Sequence, residues 1–308
     1  MFRKSIVFVL VSIMFGSVFI SCDKDAPLVE QTPKDTDDPK DPDPVDTLMK
    51  CNGFAELCNK RLDEVTTLMT HNAFNNSQKN FVVPNQDFSI TRQLTEGVRG
   101  LMLDVYSTPN GPALYHGYPQ FGKEPLLSAM RDIKNFLIKN PSEVISIIFE
   151  NYCTHAELLQ VMDTLEIRDM IYLHNGTWPT LKEMISSNKR LVMMVEFENE
   201  TLPKELLYAW QYTFDSRFEF KNFEEMDCSV NRGGARLKTF YLLNHWVSNN
   251  LGLPDKSRAK KANSWEILGE RVKNCGEEQQ RKINFLGVDF YNLGDALAIV
   301  DSLNGVKR

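Results

Sequence analysis

The sequence predicts an α/β protein, a TIM-type (β/α)8 barrel, regular or distorted, built as a single domain. Three observations carry that reading. Short, continuously apolar runs recur along the chain, and such runs mark strands covered on both faces, as in a parallel sheet wrapped by helices. Segments with helical spacing alternate with them, which favours a barrel over an open doubly wound sheet. Finally, the runs end in residues able to do acid–base chemistry. Residues 65–70 deliver His71-Asn72, 97–103 deliver Asp104, 113–115 deliver His116 and 144–149 deliver Glu150. Strand ends in such folds share one rim, where the chemistry is kept. Two histidines and two carboxylates there point to general acid–base catalysis with a metal nearby.

The elements follow in order. After the strand at 113–115, residues 125–140 read as a helix, with Leu126, Met130, Ile133 and Leu137 at helical spacing, Pro125 at the start and Asn140-Pro141 at the stop. A strand at 143–149 precedes a helix from about 154, whose Leu158, Leu159 and Met162 face inward. Residues 177–187 read as a helix with Thr177 as N-cap before Trp178-Pro179. Strand 191–195 ends in Glu196, and 200–235 is less regular. Strand 239–243 ends in Asn244-His245-Trp246, and a helix at 265–272 follows. The last strand, 284–288, ends in Asp289-Phe290-Tyr291, and the closing helix at 296–303 stops at Asn304-Gly305. About seven strands result, with no internal repeat. No glycine-rich phosphate loop follows the first strand, which weakens a nucleotide-binding alternative.

The chain has 308 residues, 42% hydrophobic and 10% aromatic, enough for a substantial core. Its formal charge of −6 is unevenly placed. Arg3 and Lys4 make the first 21 residues basic, while 23–46 holds nine Asp/Glu against three Lys. The remaining body is nearly neutral, which argues against a nucleic-acid partner and against binding anionic membrane by charge alone. Arg3-Lys4, the apolar stretch 6–20 and Ser21-Cys22 describe a secretory signal peptide (1–21) ending in a bacterial lipobox, with Cys22 lipidated. The apolar run is short for a membrane anchor, and no stop-transfer cluster follows. Residues 22–47 form an acidic, Pro-rich disordered tether, and 48–308 hold the barrel. The expected location is that of an exported bacterial lipoprotein, periplasmic or at the cell surface, and a monomer.

Five cysteines remain after Cys22. In an exported protein an odd number leaves one unpaired. Cys51 and Cys58 are close enough in sequence to clip the domain's start, and Cys228 with Cys275 is a possible second bridge. No Cys/His spacing suggests zinc.

Several motifs resemble the X domain of phosphatidylinositol-specific phospholipase C, in order and in spacing. They are Thr70-His71-Asn72-Ala73-Phe74, Asn85-Gln86, Gln93-Leu94, 97–104, Tyr115-His116-Gly117, 147–153, 284–291 and 300–305. The closest likeness is to PLC-like phosphodiesterases that consist of this barrel alone. The resemblance spans roughly 60–305, with a weak middle third. It implies a distorted TIM barrel that cleaves the glycerol–phosphate bond of phosphoinositides. The inositol 2-hydroxyl attacks phosphorus, which requires a base, an acid on the departing diacylglycerol oxygen and positive charge on the phosphoryl oxygens. By resemblance His71 is the base and His116 the acid, and Asp289 orients His71 and fixes its tautomer. Two devices could supply the positive charge. Some bacterial members place an arginine two residues after the second-strand Asp, where this chain has Tyr106. Calcium-dependent members use oxygen ligands, and Asn72, Asp104 and Glu150 match that set for Ca²⁺. Met102 stands where the family has another acidic ligand, so the site would hold calcium more weakly, borrow Glu196 or use another device.

His245 and Tyr291, at strand ends, are candidates for substrate contact, and Tyr118 and Trp246 could line the same pocket. His155 and His174 read as structural. Two alternatives stand beside the phosphatidylinositol reading. One keeps the chemistry on a glycosylated inositol lipid, a glycerophosphodiester or a sphingolipid, since fold and motif do not fix substrate. The other is a non-catalytic surface module that binds inositol or glycan.

Overall fold

The apolar runs become strands in a computed structural model that describes residues 49–198, 200–218, 220–234 and 238–308. The signal peptide, Cys22 and the acidic tether lie outside the described residues. The strands are β1 (Thr67–Thr70), β2 (Gly100–Tyr106), β3 (Ala113–Leu114), β4 (Glu124–Pro125), β5 (Ile145–Tyr152), β6 (Leu191–Val195), β7 (Leu207–Tyr208), β8 (Thr213–Asp215), β9 (Phe240–His245) and β10 (Phe285–Val288). Eight of them pair in parallel in the order β7-β6-β5-β2-β1-β10-β9-β8. That is chain order read around a circle, the topology of a (β/α)8 barrel. Among the described residues no pairing joins β7 to β8, which are linked by the single turn α5 (Ala209–Tyr212). The sheet is therefore a curled α/β barrel left open along one seam.

Around it lie α1 (Ile90–Thr95), α2 (Leu126–Lys139), α3 (His155–Thr164), α4 (Leu181–Ser186), α6 (Lys256–Ala262), α7 (Glu270–Gln279) and α8 (Ala296–Asn304). Strand residues divide between two cores according to their side-chain alternation. Leu68, Leu101, Leu103, Phe149, Met193, Tyr241, Leu243 and Leu286 pack toward the helices. Met69, Met102, Ile148, Met194, Leu242 and Phe285 pack inside the curl. Gly100 shares the inner face: a Cβ there would stand 2.8 Å from that of Met69. This phase positions the site. Two residues beyond Met69, Met102, Ile148, Met194 and Leu242 lie His71, Asp104, Glu150, Glu196 and Asn244, while Trp246 lies two beyond Asn244 and Asp289 two beyond Gly287.

Three departures from the sequence reading have local causes. Residues 113–115 do not form a barrel strand. Ala113–Leu114 pairs antiparallel with the end of β2 and with β4, so His116 reaches the rim on a hairpin. The third predicted helix begins later, because Thr180 rather than Thr177 caps it: its side chain accepts from the Glu183 N–H while Glu183 reaches back, a capping box. β7 and β8, two and three residues long, are too short to register as apolar runs. Among the described residues two disulfides join Cys51–Cys58 and Cys228–Cys275, and Cys153 is an unpaired, buried thiol.

Candidate active site

His71 follows β1 directly, its backbone N–H donating to the Val288 carbonyl and its own carbonyl accepting from Gln86 Nε2. Its Nδ1 lies 2.9 Å from Asp289 Oδ1. Asn85 Nδ2 donates to both Asp289 oxygens at 3.1 and 3.2 Å, which holds the carboxylate in place. A carboxylate only accepts, so Nδ1 carries a proton, and the neutral tautomer that fits this pairing has its lone pair on Nε2. The imidazole lies flat on Trp246, with ring centres 3.9 Å apart and planes 7° from parallel. Such a stack contributes about 1 kcal/mol and restricts ring rotation.

His116 lines a cavity of about 310 Å³ that His71, Asn85, Trp246 and Asp289 also line. The hairpin that carries it is pinned by aromatic stacking: Tyr115 lies 4.0 Å over Tyr106, which lies 4.6 Å from Tyr152. Tyr106 thus packs the hairpin at the position where an arginine would have supplied charge. Partial burial, followed by the nearby His71 imidazole, lowers the His116 pKa below its ordinary value; Glu150 and Asp289 offset part of this.

On the other side of His71 a smaller cavity, about 50 Å³, is walled by Met102, Asp104, Glu150, Glu196, Arg232 and Trp246. Asp104 faces Glu150 across the β2–β5 register. Burial, then Glu150 and Glu196, push Asp104 well above the usual carboxylate range. Burial pushes Glu196 up to about 7 despite the counteracting Arg232, with Glu150 and Asp215 adding to the rise. Arg232 donates through Nε and Nη2 to Asp215 Oδ2 at 2.9 and 2.6 Å, and through Nη1 to Glu196 Oε2 at 2.7 Å. Its guanidinium lies over Trp210 at 4.2 Å. Two of its five N–H donors remain outside these bonds.

Two of the three predicted calcium ligands share one cavity. Asp104 and Glu150 share the small cavity, but Asn72 does not line it. Asn72 has a left-handed backbone (φ 46°), and its amide donates to Asn85 at 3.2 Å. Met102 contributes a thioether to the wall, Tyr152 bonds Glu150, and Glu196 is engaged by Arg232. Among the described residues no three His, Cys, Asp or Glu side chains are grouped to hold a metal. This donor set does not fit a calcium cage.

Both predicted substrate residues need correction. His245 is fully buried: its position on β9 has the opposite phase to Asn244 and Trp246, so it faces the helices. There its Nε2 lies 2.9 Å from the Ala262 carbonyl, and Arg271 Nη1 approaches its Nδ1 at 3.1 Å. Burial, then Arg271, drive its pKa down to about 3, so it stays neutral. Tyr291 follows Phe290, whose left-handed backbone (φ 45°) turns the chain away, and its hydroxyl donates to Glu96. It lines a separate cavity at the C-terminal helix. Tyr118 is exposed and lines a groove beside His116, and Trp246 does line the shared cavity. His155 and His174 are structural, the first beside the Phe197 carbonyl, the second stacked on Trp178. Sequence reasoning missed Arg232. It lies in the irregular stretch after the three-residue β8, where neither periodicity nor a motif marks it.

The PI-PLC X 1 family profile matches residues 57–304. A PI-PLC X domain-containing protein of Arabidopsis thaliana is 27% identical over 276 residues, 79% of this chain and 62% of that protein. PI-PLC X domain-containing protein 1 of Arthroderma benhamiae is 28% identical over 281 residues, 83% of this chain and 90% of that protein. The match therefore spans somewhat under two thirds of the plant relative but nearly all of the fungal one. Among solved structures, the phosphatidylinositol-specific phospholipase C from Listeria monocytogenes superposes with a TM-score of 0.57 at 15% identity, covering 82% of this chain and 96% of that one. A mutant of the Staphylococcus aureus phosphatidylinositol-specific phospholipase C superposes at 0.54 and 14% identity, covering 81% and 95%. These last two likenesses are of fold.

Proposed function

The chain belongs to the PI-PLC X family, and on that footing we propose that it is a phosphoric diester hydrolase that releases diacylglycerol from phosphatidylinositol-type lipids. One observation carries the reading: an imidazole with its Nδ1 on a buried carboxylate shares a cavity with a second imidazole. His71 Nε2 takes the proton of the attacking 2-hydroxyl, and Asp289 stabilises the imidazolium that forms. His116 in its protonated form gives its proton to the departing glycerol oxygen. The products are diacylglycerol and an inositol cyclic phosphate. A non-catalytic module would need neither the Nδ1 carboxylate nor the second imidazole.

Arg232 is the cation of this mechanism. It lines the small cavity that borders His71 and that His116 does not line, with donors to spare for a phosphoryl oxygen. The raised pKa values of Asp104 and Glu196 favour their protonated forms, which reduces the negative charge an incoming phosphate meets. No step is assigned to calcium. The protein is further proposed to act outside the cytoplasm, tethered through Cys22. The leader pattern supports this, as does a relative, 25% identical over 287 residues, that is an uncharacterized secreted protein of Arthroderma benhamiae.

The test is diacylglycerol release from phosphatidylinositol, with glycosylated phosphatidylinositol, a glycerophosphodiester and sphingomyelin run alongside. Activity is expected on the inositol lipids and to persist in chelator, while Arg232→Ala lowers kcat by about 10²–10³ and Arg232→Lys by less. Chelator-abolished activity that Arg232→Ala leaves intact would transfer the role to a metal.

A further inference from the structure

Among the described residues, the two cavities that meet at His71 each hold one basic side chain other than histidine. Arg232 lines the smaller, and Lys221 lines the larger, which His71 shares with His116. Phe218 and Trp246 line both, so the two spaces adjoin one aromatic wall. The Lys221 side chain is exposed, yet its segment is fixed. Its N–H donates to Glu225 Oε2 at 3.2 Å, and its carbonyl accepts from Arg258. The preceding Phe220 is buried, and its carbonyl accepts from the Ser248 N–H at 3.0 Å. Arg258 also donates to the Ser248 carbonyl, which ties this segment to the one after β9 and to α6. With both backbone polar groups engaged, what Lys221 offers the cavity is its side chain. That is a flexible stem ending in a compact charge with three donors.

The neighbouring cations are already engaged. Arg217 pairs with Asp227, Lys256 pairs with Asp87, and Arg258 is held by carbonyls. Among the described residues no hydrogen bond or ion pair takes up the Lys221 ammonium, whose segment bonds only through its backbone. The chemistry of a diester supplies a partner. Its negative charge lies on two non-bridging oxygens, which point to different sides of a tetrahedral phosphorus. A phosphorus within reach of both imidazoles stands in the larger cavity, and Arg232 approaches it only from the smaller one. Arg232 can therefore serve one of these oxygens. The other is left to the larger cavity, whose described lining holds one lysine and no arginine.

We propose that Lys221 is a substrate-binding residue whose ammonium pairs with the second non-bridging oxygen, so that Arg232 and Lys221 clamp the phosphoryl group between them. The identity of the diester rests on the function proposed above, whereas the pairing with a phosphoryl group is testable without turnover. Lys221→Met and Lys221→Arg, beside Arg232→Ala, test it in the full-length protein. One readout is calorimetric binding of inositol 1-phosphate, which requires no catalysis. Lys221→Met is expected to weaken this binding about tenfold and Lys221→Arg to restore most of it, with the melting temperature unchanged. The other readout uses the two phosphorothioate diastereomers of phosphatidylinositol, in which sulfur replaces one or the other non-bridging oxygen. Sulfur is the poorer acceptor, so each cation penalises the diastereomer that presents sulfur to it. Lys221→Met should remove the penalty on one diastereomer, and Arg232→Ala the penalty on the other. Parental binding in Lys221→Met, or both variants acting on the same diastereomer, would overturn the proposal. So would an effect of Lys221→Met confined to lipids with a further phosphate on the inositol, which would make Lys221 a reader of ring substituents. A parent that binds inositol 1-phosphate through Lys221 but hydrolyses no diester keeps the clamp and refutes the proposed function. A parent that hydrolyses phosphatidylinositol with no dependence on Lys221 does the reverse.

Discussion

At the scale of single residues, the site depends on how differently its ionisable groups are surrounded. His71 has a carboxylate partner, whereas the His116 imidazole has no protein hydrogen-bond partner among the described residues and sits where burial and a second imidazole oppose its charge. The acid of the pair thus holds its proton less tightly than an ordinary histidine in the free protein. Since kcat/KM reports free-enzyme ionisations, its alkaline limb should have a midpoint below pH 6.5 and should vanish in His116→Gln along with most of the activity. A limb at or above the ordinary histidine value would contradict this assignment of roles. These residues were legible in sequence because strand-end position and short motifs coincide at His71, His116 and Asp289. His245 shows the limit of that signal. It ends a strand as His71 does, yet strand-end position does not state phase, and one residue's shift turns a side chain from the curl to the helices. Counting in twos from Trp246 would have excluded it.

At the scale of elements, six of the seven predicted strands are barrel strands, because each is a continuous apolar run buried on both faces. The exceptions share a cause: β3, β7 and β8 are set by pairing partners rather than by composition. Arg232 escaped notice for the same reason. The segment that carries it is held by contacts distant in sequence, the Asp215 carboxylate and the Cys228–Cys275 disulfide to α7. That disulfide closes a separation of 47 residues, against 7 for Cys51–Cys58. Chain entropy alone makes the two contribute about 4 and about 2.5 kcal/mol. Replacing Cys228 and Cys275 together by serine should therefore cost more stability than replacing Cys51 and Cys58. It should also lower kcat, which the first pair leaves intact. Denaturant unfolding and assay of both double variants check this, and equal kcat values would detach the Arg232 segment from the chemistry.

At the scale of the whole molecule, a curled parallel sheet gathers three carboxylates from adjacent strand ends, and the fold bears the cost of burying them. Glu196 is held up to about 7, far above its ordinary value, so ionising it is harder in the folded chain than in the unfolded one. Its contribution is complete below about pH 4.5 and is lost as the pH rises through about 7, which lowers stability across that window. Glu196→Gln removes this dependence. Calorimetry should show the variant gaining on the parent between pH 5 and pH 8, by on the order of 2 kcal/mol. A pH-independent difference would mean that Arg232 keeps the carboxylate charged throughout. The central claim concerns the two imidazoles acting on one phosphorus, and phosphorus NMR of the reaction with phosphatidylinositol addresses it most directly. The parent should form an inositol cyclic phosphate first, with His71→Ala and His116→Ala each slowing its appearance by about 10³-fold or more. A non-cyclic inositol phosphate as first product, or cyclic product formed at the parental rate by either variant, would contradict the account.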